Sequence, residues 1–457
     1  MFAKKSVQMP YNDNANNLAG HSALSRRRIA QLLTKGLWAL RRNERRVASS
    51  GLFDELWYVA NNPDAARFPG GALRHYIRVG ARALRDPNPY FDAAQYTARH
   101  PEARANPIVH YLRRGATEGF RPSPAFDPVW YRAIYADVTA AGVEPLSHFL
   151  RVGKGEGRLA KEPDDCRPVD AAKLVCLKRS ASPETMALFV TYAPAGRIKP
   201  HVPLYLAALA RESVSTTLIV NADHPAGVSH ADVIDLVDGL YVRQNQGFDF
   251  AAWSHVARGI DFSRTRSLYL INDSVVGPLN AERFSEIMDR IRASSAHLVG
   301  LTESLQIERH FQSYFLVAKA EGVAALLSFL FGVKAYREKH AVIMSYEVPL
   351  LRYFLRAGLR GEALLPRSTS GNASLEEWKE LLERGLPFVK VSALRSESGD
   401  WREVLRVQGY DPRIVEGPLS LLEQPRPAQP EAFCSLIGAQ LSTAPTRNDD
   451  FCGDDEE

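Results

Sequence analysis

The chain has 457 residues, 45% of them hydrophobic and 24% charged, with a formal net charge of +5 at neutral pH. This length exceeds what one ordinary hydrophobic core occupies, so we expect about two or three domains. The positive excess is too small to indicate a nucleic-acid-binding protein. The four cysteines form no CxxC pair and have no neighbouring histidine cluster, which argues against a zinc site and favours a reducing compartment.

The N-terminal region combines a polar segment with a basic amphipathic one. Residues 1–25 lack hydrophobic periodicity and are expected to be disordered. Residues 26–50 predict a basic helix, of which residues 26–46 could lie on an anionic membrane surface or pack on the next domain. No segment approaches the ~18–20 apolar residues of a membrane span, and no secretory signal is recognisable. We therefore expect a cytoplasmic protein, with peripheral contact at the inner face of the plasma membrane as an open alternative.

Residues 51–160 repeat one pattern three times. The phenylalanines that open the units, Phe53, Phe91 and Phe126, are 38 and then 35 residues apart. A period of this length predicts stacked supersecondary units, here three helical hairpins in which an aspartate starts the first helix. A glycine ends each second helix, where we expect a left-handed C-cap. These glycines are Gly80, Gly115 and Gly153.

A histidine recurs once in each unit, at His75, His110 and His148. No carboxylate or cysteine stands at ligand spacing from them. We therefore interpret them as structural residues that bond to the adjacent hairpin, rather than as metal ligands or acid–base groups. The repeats are typical of an interaction or positioning module.

The composition changes after residue 160. Residues 161–184 are rich in Lys, Asp, Pro and Ser and are interpreted as a linker. Residues 185–422 alternate buried strands with helices, which predicts an α/β domain with a mostly parallel sheet and helices on both faces. Within it, residues 232–244 are interpreted as a helix followed by a short strand. Residues 423–457 are rich in Pro and Gln and are expected to be disordered.

Polar residues follow three of the predicted strands, at the positions where open α/β sheets bind their ligands. The most distinctive cluster is Asn272, Asp273 and Ser274, and a glycine-containing loop at residues 242–253 precedes it. Asp273 could coordinate Mg2+ or Mn2+ or cap a turn through backbone amides, and the residues alone leave both open. GxGxxG and GxxxxGK[ST] do not occur, which argues against dinucleotide-binding and P-loop enzymes.

Six ordered segments resemble the rhamnan synthesis protein F family, whose members are bacterial enzymes of polysaccharide assembly regarded as glycosyltransferases. They span roughly residues 186–410 and read VRQNQGFDFAAW, YLINDSVVGPL, HLVGLTES, HFQSYFLVAKAEG, VIMSYEVPLLRYFLRAG and WKELLERGLPFVKVSALR. The helical repeats resemble modules attached to some bacterial glycosyltransferases. The resemblance implies a GT-A-like domain that binds a nucleotide-sugar at its strand ends through a divalent metal.

For the donor site, the resemblance implies an Asp-any-Asp metal motif where this chain has Asn272, Asp273 and Ser274. Asp273 would hold Mg2+ or Mn2+, while Asn272 and Ser274 would bond phosphate or sugar. Further donor-site residues would be Arg243, Asn245, Gly247 and Asp249. Only one carboxylate occupies the motif, so metal-independent transfer stays open.

The segment YEVPLLRYFLRAG resembles a GT-A helix that starts with a Glu-Asp pair, one carboxylate of which is the catalytic base. Glu347 alone matches this pair, either as the base or as favourable charge at a helix N-terminus. The implied sugar or acceptor pocket consists of Glu303, His310, Gln312, Ser313 and Tyr346. Arg243 or His310 would help to neutralise the leaving diphosphate.

The implied function is inverting transfer of rhamnose or another deoxyhexose from a nucleotide-diphosphate sugar. The acceptor would be a growing bacterial surface polysaccharide or a lipid-linked glycan. Glu347 would be the base, and Asp273 would hold the diphosphate end. The alternative is a catalytically inactive carbohydrate-binding or scaffold protein of a polysaccharide assembly system, which the missing second aspartate supports.

Overall fold

A computed structural model of the protein describes residues 38–366, 373–396 and 401–416. Its N-terminal part is helical. The α-helices there are α1 (38–50), α2 (Glu55–Asn61), α3 (Ala72–His75), α4 (Ala93–Arg99), α5 (Pro107–His110), α6 (Ala116–Glu118), α7 (Pro128–Ile134), α8 (Ala136–Ala140) and α9 (Pro145–His148). Helices α3, α5 and α9 each continue into one wider π turn, at Tyr76–Gly80, Tyr111–Gly115 and Phe149–Gly153. Short 3-10 turns follow α2 and α4, at Pro63–Arg67 and Pro101–Ala105.

Each unit of residues 51–160 starts in the same way. The aspartates Asp54, Asp92 and Asp127 precede α2, α4 and α7, and their side chains accept hydrogen bonds from backbone amides of the first turn. This contact satisfies amides that have no partner within the helix. Tyrosine and phenylalanine side chains from all three units then share one buried aromatic cluster. The Phe-Asp pair of each unit therefore fixes where its first helix begins.

The glycines at the predicted ends of the second helices have a different role from the predicted one. Gly80, Gly115 and Gly153 are not left-handed, so the predicted C-caps are wrong. A Cβ atom at each glycine would collide with a tyrosine hydroxyl of the same unit, that of Tyr58, Tyr96 or Tyr131. The left-handed residues stand four positions later, at Leu84, Gly119 and Gly157, with φ of 56°, 74° and 74°. The glycines are thus required by close packing rather than by backbone conformation.

Replacing Gly115 by alanine tests this packing. The new methyl group would displace the Tyr96 hydroxyl, which lies 2.9 Å from Nδ1 of His110. Overpacking of this kind costs about 1–3 kcal/mol, so we expect a clearly lower midpoint of thermal unfolding by near-UV circular dichroism. Gly155→Ala is the control, because a Cβ there stands 3.4 Å from its nearest atom. Equal midpoints for the two variants would contradict the explanation.

The recurrent histidines bond within their own units. Nδ1 of His75 lies 3.0 Å from the Tyr58 hydroxyl. The corresponding pairs are His110 with Tyr96 and His148 with Tyr131. The predicted partner, an adjacent hairpin, is therefore wrong: each bond joins the two helices of one unit. Tyrosine, histidine and glycine together fix the crossing of these helices.

Of the predicted basic helix, the structure describes residues 38–50 as α1. Val47 of α1 is fully buried in the aromatic cluster of the repeats, and Leu40 packs against the same cluster. These contacts support the packing alternative for this part of the helix. The segments predicted to be disordered, residues 1–25 and 423–457, lie outside the described residues.

The C-terminal part alternates strands and helices. Its strands are β1 (Arg167–Pro168), β2 (Leu174–Lys178), β3 (Thr185–Tyr192), β4 (Ser215–Ala222), β5 (Gly239–Gln244), β6 (Ser267–Asn272), β7 (Val275–Val276), β8 (Leu298–Ser304), β9 (His310–Phe311), β10 (Phe315–Lys319), β11 (Lys334–Ala335), β12 (Gly361–Leu365) and β13 (Val389–Lys390). Its helices are α10 (His201–Arg211), α11 (Phe248–Ala257), α12 (Ala281–Ala293), α13 (Glu321–Phe331), α14 (Lys339–Val342), α15 (Val348–Arg356), α16 (Ala373–Glu376), α17 (Trp378–Glu383), α18 (Val391–Ser396) and α19 (Trp401–Val407).

Nine of the described strands form one large sheet in the order β12-β8-β10-β6-β3-β4-β5-β2, with β9 paired to β8, while β1 pairs with β11 and β13 with β7 outside it. The pairs β12/β8, β6/β3, β3/β4 and β4/β5 are parallel, whereas β10 is antiparallel to both of its neighbours. Helices α10 and α12 cover one face of the sheet, and α11, α13 and α15 cover the other. The predicted α/β class, with a mostly parallel sheet and a helical N-terminal region, is confirmed.

Two sequence interpretations are wrong at the start of this domain. Part of the predicted linker, residues 161–184, forms β2, which pairs antiparallel with β5 and closes one edge of the sheet. The helix predicted within residues 232–244 is a single 3-10 turn at Ile234–Leu236, followed by the predicted strand β5. Among the described residues, no helix is both long and apolar enough to cross a membrane.

Candidate functional site

The sheet has a topological switch point between β3 and β6. These two strands lie side by side and run parallel, yet the chain leaves β3 toward β4 and leaves β6 toward the other edge of the sheet. The loops after both strands therefore separate and open a crevice at their carboxyl ends, where sheets of this class bind ligands. Asp273 directly follows β6 and lies in this crevice.

Asp273 forms a buried ion pair with Lys199. Its Oδ2 atom accepts from Nζ of Lys199 at 2.7 Å and from the backbone N–H of Tyr192 at 3.2 Å. The Thr191 hydroxyl donates to the same oxygen. The two charged side chains are only 12% and 11% exposed. Charge-assisted bonds in such a shielded place are strong and directional, so Asp273 holds the ammonium group at the ends of β3 and β6.

Lys199 is absent from the set of residues predicted from the sequence. It lies seven residues after β3 and two residues before α10. His201, in the first turn of α10, is buried close by. Burial lowers the pKa of His201 to about 4, and the positive charge of Lys199 acts in the same direction. At neutral pH the imidazole is therefore uncharged, and Lys199 is the cation of this pair of residues.

Asp249 approaches the crevice through an unusual turn. Gly247 and Phe248, just before it, both have positive φ, of 75° and 59°, and such backbone is often found at functional sites. Asn272 donates from Nδ2 to Oδ2 of Asp249 at 2.8 Å. Burial raises the pKa of Asp249 to about 6, and the negative charge of Asp273 adds to the effect. Asp249 therefore belongs to the same electrostatic neighbourhood as Asp273.

The raised pKa of Asp249 predicts a pH-dependent stability. Its unfolded pKa is about 3.9, so the folded state prefers the protonated form. This contribution to stability is complete below about pH 4 and is lost as the pH rises through about 6. The unfolding free energy of Asp249→Asn, taken relative to that of the wild type, should therefore increase by about 1–3 kcal/mol from pH 4.5 to pH 7.5. Urea titrations at both pH values measure it, and an unchanged difference would contradict the prediction.

Glu347 lies in a helical segment and belongs to the same electrostatic neighbourhood as Asp249. Its Oε2 atom accepts from the backbone N–H of Ser313 at 3.3 Å and from the Ser313 hydroxyl. Nε2 of His310 is 4.0 Å from the other carboxylate oxygen. The side chain is 19% exposed, so it is oriented by protein contacts while remaining accessible. Its negative charge also raises the pKa of Asp249.

The helix around Glu347 removes one of the two interpretations of this residue. Helix α14, a π turn at Ile343–Glu347 and α15 form one continuous helical segment, residues 339–356. Glu347 is in the middle of it rather than at its N-terminus. The interpretation as favourable charge at a helix N-terminus is therefore wrong, because the amides that would interact with the carboxylate are bonded within the helix.

Two further lysines border the same region. Burial lowers the pKa of Lys390, and the nearby negative charge of Glu347 offsets only part of this shift. Nζ of Lys390 also lies 3.4 Å from the Ser374 hydroxyl oxygen. Lys339 is exposed, and its positive charge lowers the pKa of Asp249. Carboxylates and ammonium groups thus occur together in this region.

Some predicted donor-site residues are placed elsewhere. Arg243 is fully buried and donates to the backbone oxygens of Val169, Gln244 and Gln246, so its predicted contact with the donor is wrong. Burial lowers its pKa to about 10. Asn245 donates to Asp223 at 3.1 Å, beyond the end of β4.

Two of the predicted donor-site positions shape the backbone of the crevice. Gly247 is followed directly by α11, and a Cβ atom added to it would stand 2.6 Å from Ala335. Ser274 donates its backbone N–H to Oδ1 of Asn272 at 3.0 Å, which closes the turn after β6. These contacts hold Asp249 and Asp273 in place.

The predicted sugar pocket is only partly assembled at the crevice. His310 and Ser313 lie beside Glu347, as described. Tyr346 points away, because its hydroxyl bonds to the backbone of Lys334 and its ring stacks on Tyr336. That part of the prediction is wrong.

The remaining two predicted pocket residues are buried supports. Glu303 is 5% exposed and pairs with Arg309 at 2.8 Å. Gln312 is 3% exposed and donates to the Ser374 hydroxyl at 2.8 Å, while it accepts from Thr302 at 2.7 Å. Both residues stabilise the segment that carries His310 and Ser313.

The donor set at Asp273 fits an ammonium group better than a divalent metal. Within residues 38–366, 373–396 and 401–416, no group of three or more His, Cys, Asp or Glu side chains is arranged to hold a metal ion. A Mg2+ or Mn2+ ion needs several oxygen ligands, whereas the Oδ2 atom of Asp273 already pairs with Lys199. The metal predicted from the resemblance therefore stays a prediction, which the chelator experiment below tests.

The helical repeats contact the segment that carries Glu347. Met344 and Val348, on either side of Glu347, are 0% and 1% exposed and belong to the repeat core. Arg352, one turn further on, donates to the backbone oxygen of Ile134 in the third unit and pairs with Glu308. The repeats therefore pack directly against the helical segment that carries Glu347.

Fold and site together define an open α/β protein with a cluster of charged side chains at the carboxyl ends of its central strands. Residues 217–406 match the family model described as Rhamnan synthesis protein F. This match confirms the resemblance that the six sequence segments predict.

Three similar proteins give the wider context. Two relatives are both described as virulence protein VirA, one from Vibrio anguillarum (strain ATCC 68554 / 775) and one from Vibrio anguillarum without a stated strain. Each is 25% identical over 215 residues, which cover 38% of this chain and 68% of the relative. A solved structure from Desulfovibrio desulfuricans G20, provisionally assigned as a nucleotide-diphospho-sugar transferase, is 11% identical and covers 51% of this chain and 97% of its own, with a TM-score of 0.27. At this TM-score the likeness does not establish the fold, which is assigned from the strand order instead.

Proposed function

We propose that this protein is a glycosyltransferase of bacterial polysaccharide synthesis. It transfers rhamnose or another deoxyhexose from a nucleotide-diphosphate sugar to a growing surface polysaccharide or a lipid-linked glycan. The observation that carries the proposal is the charged cluster at the switch point, where the Lys199–Asp273 pair and Glu347 all act on the charge of Asp249. The match to Rhamnan synthesis protein F supports the polymer class.

Lys199 serves the leaving group in this proposal. When the bond between sugar and diphosphate breaks, negative charge develops on the phosphate oxygens, and a preorganised cation lowers the barrier. Asp273 fixes the ammonium group through the bond at 2.7 Å, with Thr191 and Tyr192 fixing the carboxylate in turn. Lys339 and Lys390 add positive charge on the side of Glu347.

Glu347 serves the acceptor. Its carboxylate takes the proton of the attacking hydroxyl while the new bond to the anomeric carbon forms and the bond to the diphosphate oxygen breaks. The two hydrogen bonds from Ser313 hold one carboxylate oxygen, which leaves the other to face the substrate. One displacement inverts the anomeric configuration, so a β-linked donor gives an α-linked product.

The test is a transfer assay with the full chain, dTDP-β-L-rhamnose and a panel of other nucleotide-sugars. Released nucleotide is measured with and without EDTA, in the presence of glycan and lipid-linked glycan acceptors. We expect acceptor-dependent release that survives EDTA. Loss of release with EDTA would favour the predicted Mg2+ or Mn2+ over the lysine. No turnover with any donor would contradict the proposal that the protein is an enzyme.

A noncatalytic carbohydrate-binding or scaffold protein is the second candidate. The observation that favours it is the single carboxylate at the motif, where Asn272 and Ser274 flank Asp273. Isothermal titration with oligosaccharides separates the two candidates. Sugar binding that persists in Asp273→Ala, combined with no turnover in the wild type, would establish the scaffold instead.

A further inference from the structure

Helix α1 has two chemically different sides. Leu40, Asn43, Glu44 and Val47 recur at helical spacing and are half-buried or buried. Trp38, Arg41, Arg42 and Arg45 recur on the other side, and all four are exposed. Trp38 is 74% exposed. The apolar residues of α1 thus face the protein, and its outer side is cationic with one large aromatic ring.

The inner side of α1 is held by the repeats. Glu44 pairs with Arg74 of the first unit at 3.3 Å. Arg113 of the second unit donates to Oδ1 of Asn43 at 3.4 Å, and Arg151 of the third donates to the backbone oxygen of Ser49. Together with the buried Val47, these bonds fix α1 across all three units. Its apolar side is therefore not available for insertion into a membrane.

The outer side continues from α1 onto the second unit. Arg113 stands beside Arg42 and Arg46; burial lowers the pKa of its guanidinium group, and the positive charges of these two arginines add to the effect. In the part of the chain that the structure describes, none of Arg41, Arg42, Arg45, Arg46 and Arg113 has an acidic ion-pair partner. Like charges crowded without counter-charges are unfavourable unless an anionic partner approaches.

We propose that this surface, the arginine face (Trp38, Arg41, Arg42, Arg45 and Arg113), docks the protein on an anionic membrane. Clustered arginines are attracted to the negative surface potential of anionic lipids. A tryptophan at the rim suits the headgroup layer, where its ring and N–H are both accommodated, and this favours a membrane over a soluble polyanion. The attachment is electrostatic, since the apolar side of α1 is packed on the repeats.

Vesicle sedimentation with the full chain tests the proposal. Vesicles of phosphatidylcholine alone are compared with vesicles of about 70% phosphatidylcholine and 30% phosphatidylglycerol. We expect binding to the anionic vesicles only, weakened roughly tenfold or more when NaCl rises from about 50 to 300 mM. The double variant Arg42→Glu with Arg45→Glu should weaken binding by roughly 30-fold or more.

A matched control separates the arginine face from net charge. Arg337 and Arg356 are exposed residues of the α/β domain, and Arg337→Glu with Arg356→Glu changes the net charge by the same amount. This control should bind as the wild type does. Equal binding by both double variants, or equal binding to neutral vesicles, would overturn the proposal. Binding to dextran sulfate without binding to anionic vesicles would replace the membrane by a soluble polyanion.

Discussion

Replacing Glu347 by glutamine should lower kcat for sugar transfer by a factor on the order of 10²–10⁴, the usual contribution of a positioned general base. Glutamine has nearly the same shape and can still accept the hydrogen bonds from Ser313. It cannot take a proton from the acceptor hydroxyl. We therefore expect the donor dissociation constant to change by less than about threefold, because the loss is confined to the chemical step.

Steady-state kinetics and donor titration measure the two quantities separately. Glu321→Gln is the matched control, since Glu321 is an exposed glutamate in the first turn of α13. It should behave as the wild type. If Glu347→Gln kept full kcat, the base would have to be another group. If both kcat and donor affinity collapsed, Glu347 would be a structural support of the crevice instead.

Replacing Lys199 by methionine should lower kcat/KM for the nucleotide-sugar by roughly 10²–10³, the size found when one preorganised charge-stabilising group is removed. The reason is that Lys199 is the cation held at the switch point by Asp273. Asp273→Asn should cause a similar loss, because it releases the ammonium group from its position. The double variant should lose little more than either single variant, since residues that act as one unit are not additive.

This cycle also decides between lysine and metal. Lys173 is exposed in the segment before β2, so Lys173→Met is the control and should keep wild-type kinetics. If a divalent metal at Asp273 stabilised the leaving diphosphate instead, EDTA would abolish transfer. Lys199→Met would then retain most of the activity, or bind the metal more tightly. We instead expect transfer to survive EDTA and Lys199→Met to lose most of the activity.

The sequence is most informative where a signal is local. The run from Ser267 to Ile271, followed by Asn272 and Asp273, predicts a buried strand with a polar carboxyl end, and β6 has this form. The alternation of strands and helices predicts the sheet for the same reason, because burial and side-chain period are set by neighbouring residues. The Phe-Asp pairs likewise predict where the first repeat helices begin.

The sequence is least informative where partners are distant. Lys199 lies 74 residues before Asp273, and only the order of the strands brings them together. Arg243 stands near a strand end, as a donor-site residue would, but its guanidinium group satisfies buried backbone oxygens. Gly80, Gly115 and Gly153 recur where C-caps are predicted, yet they lie within helical turns, and the requirement for glycine comes from tyrosines of another helix. Each error concerns a contact that spacing along the chain does not contain.

The helical segment at residues 339–356 belongs to two hydrophobic cores at once. Met344 and Val348 are part of the repeat core, while Leu350 and Leu351 pack against the sheet. An α/β domain cut free after residue 160 would expose the first pair to water beside Glu347 and would lose the bond from Arg352 to Ile134. The domain that matches the family model is therefore not a self-sufficient module. Exchanging these repeats for those of another protein would require the surface around Met344 and Val348 to be exchanged with them.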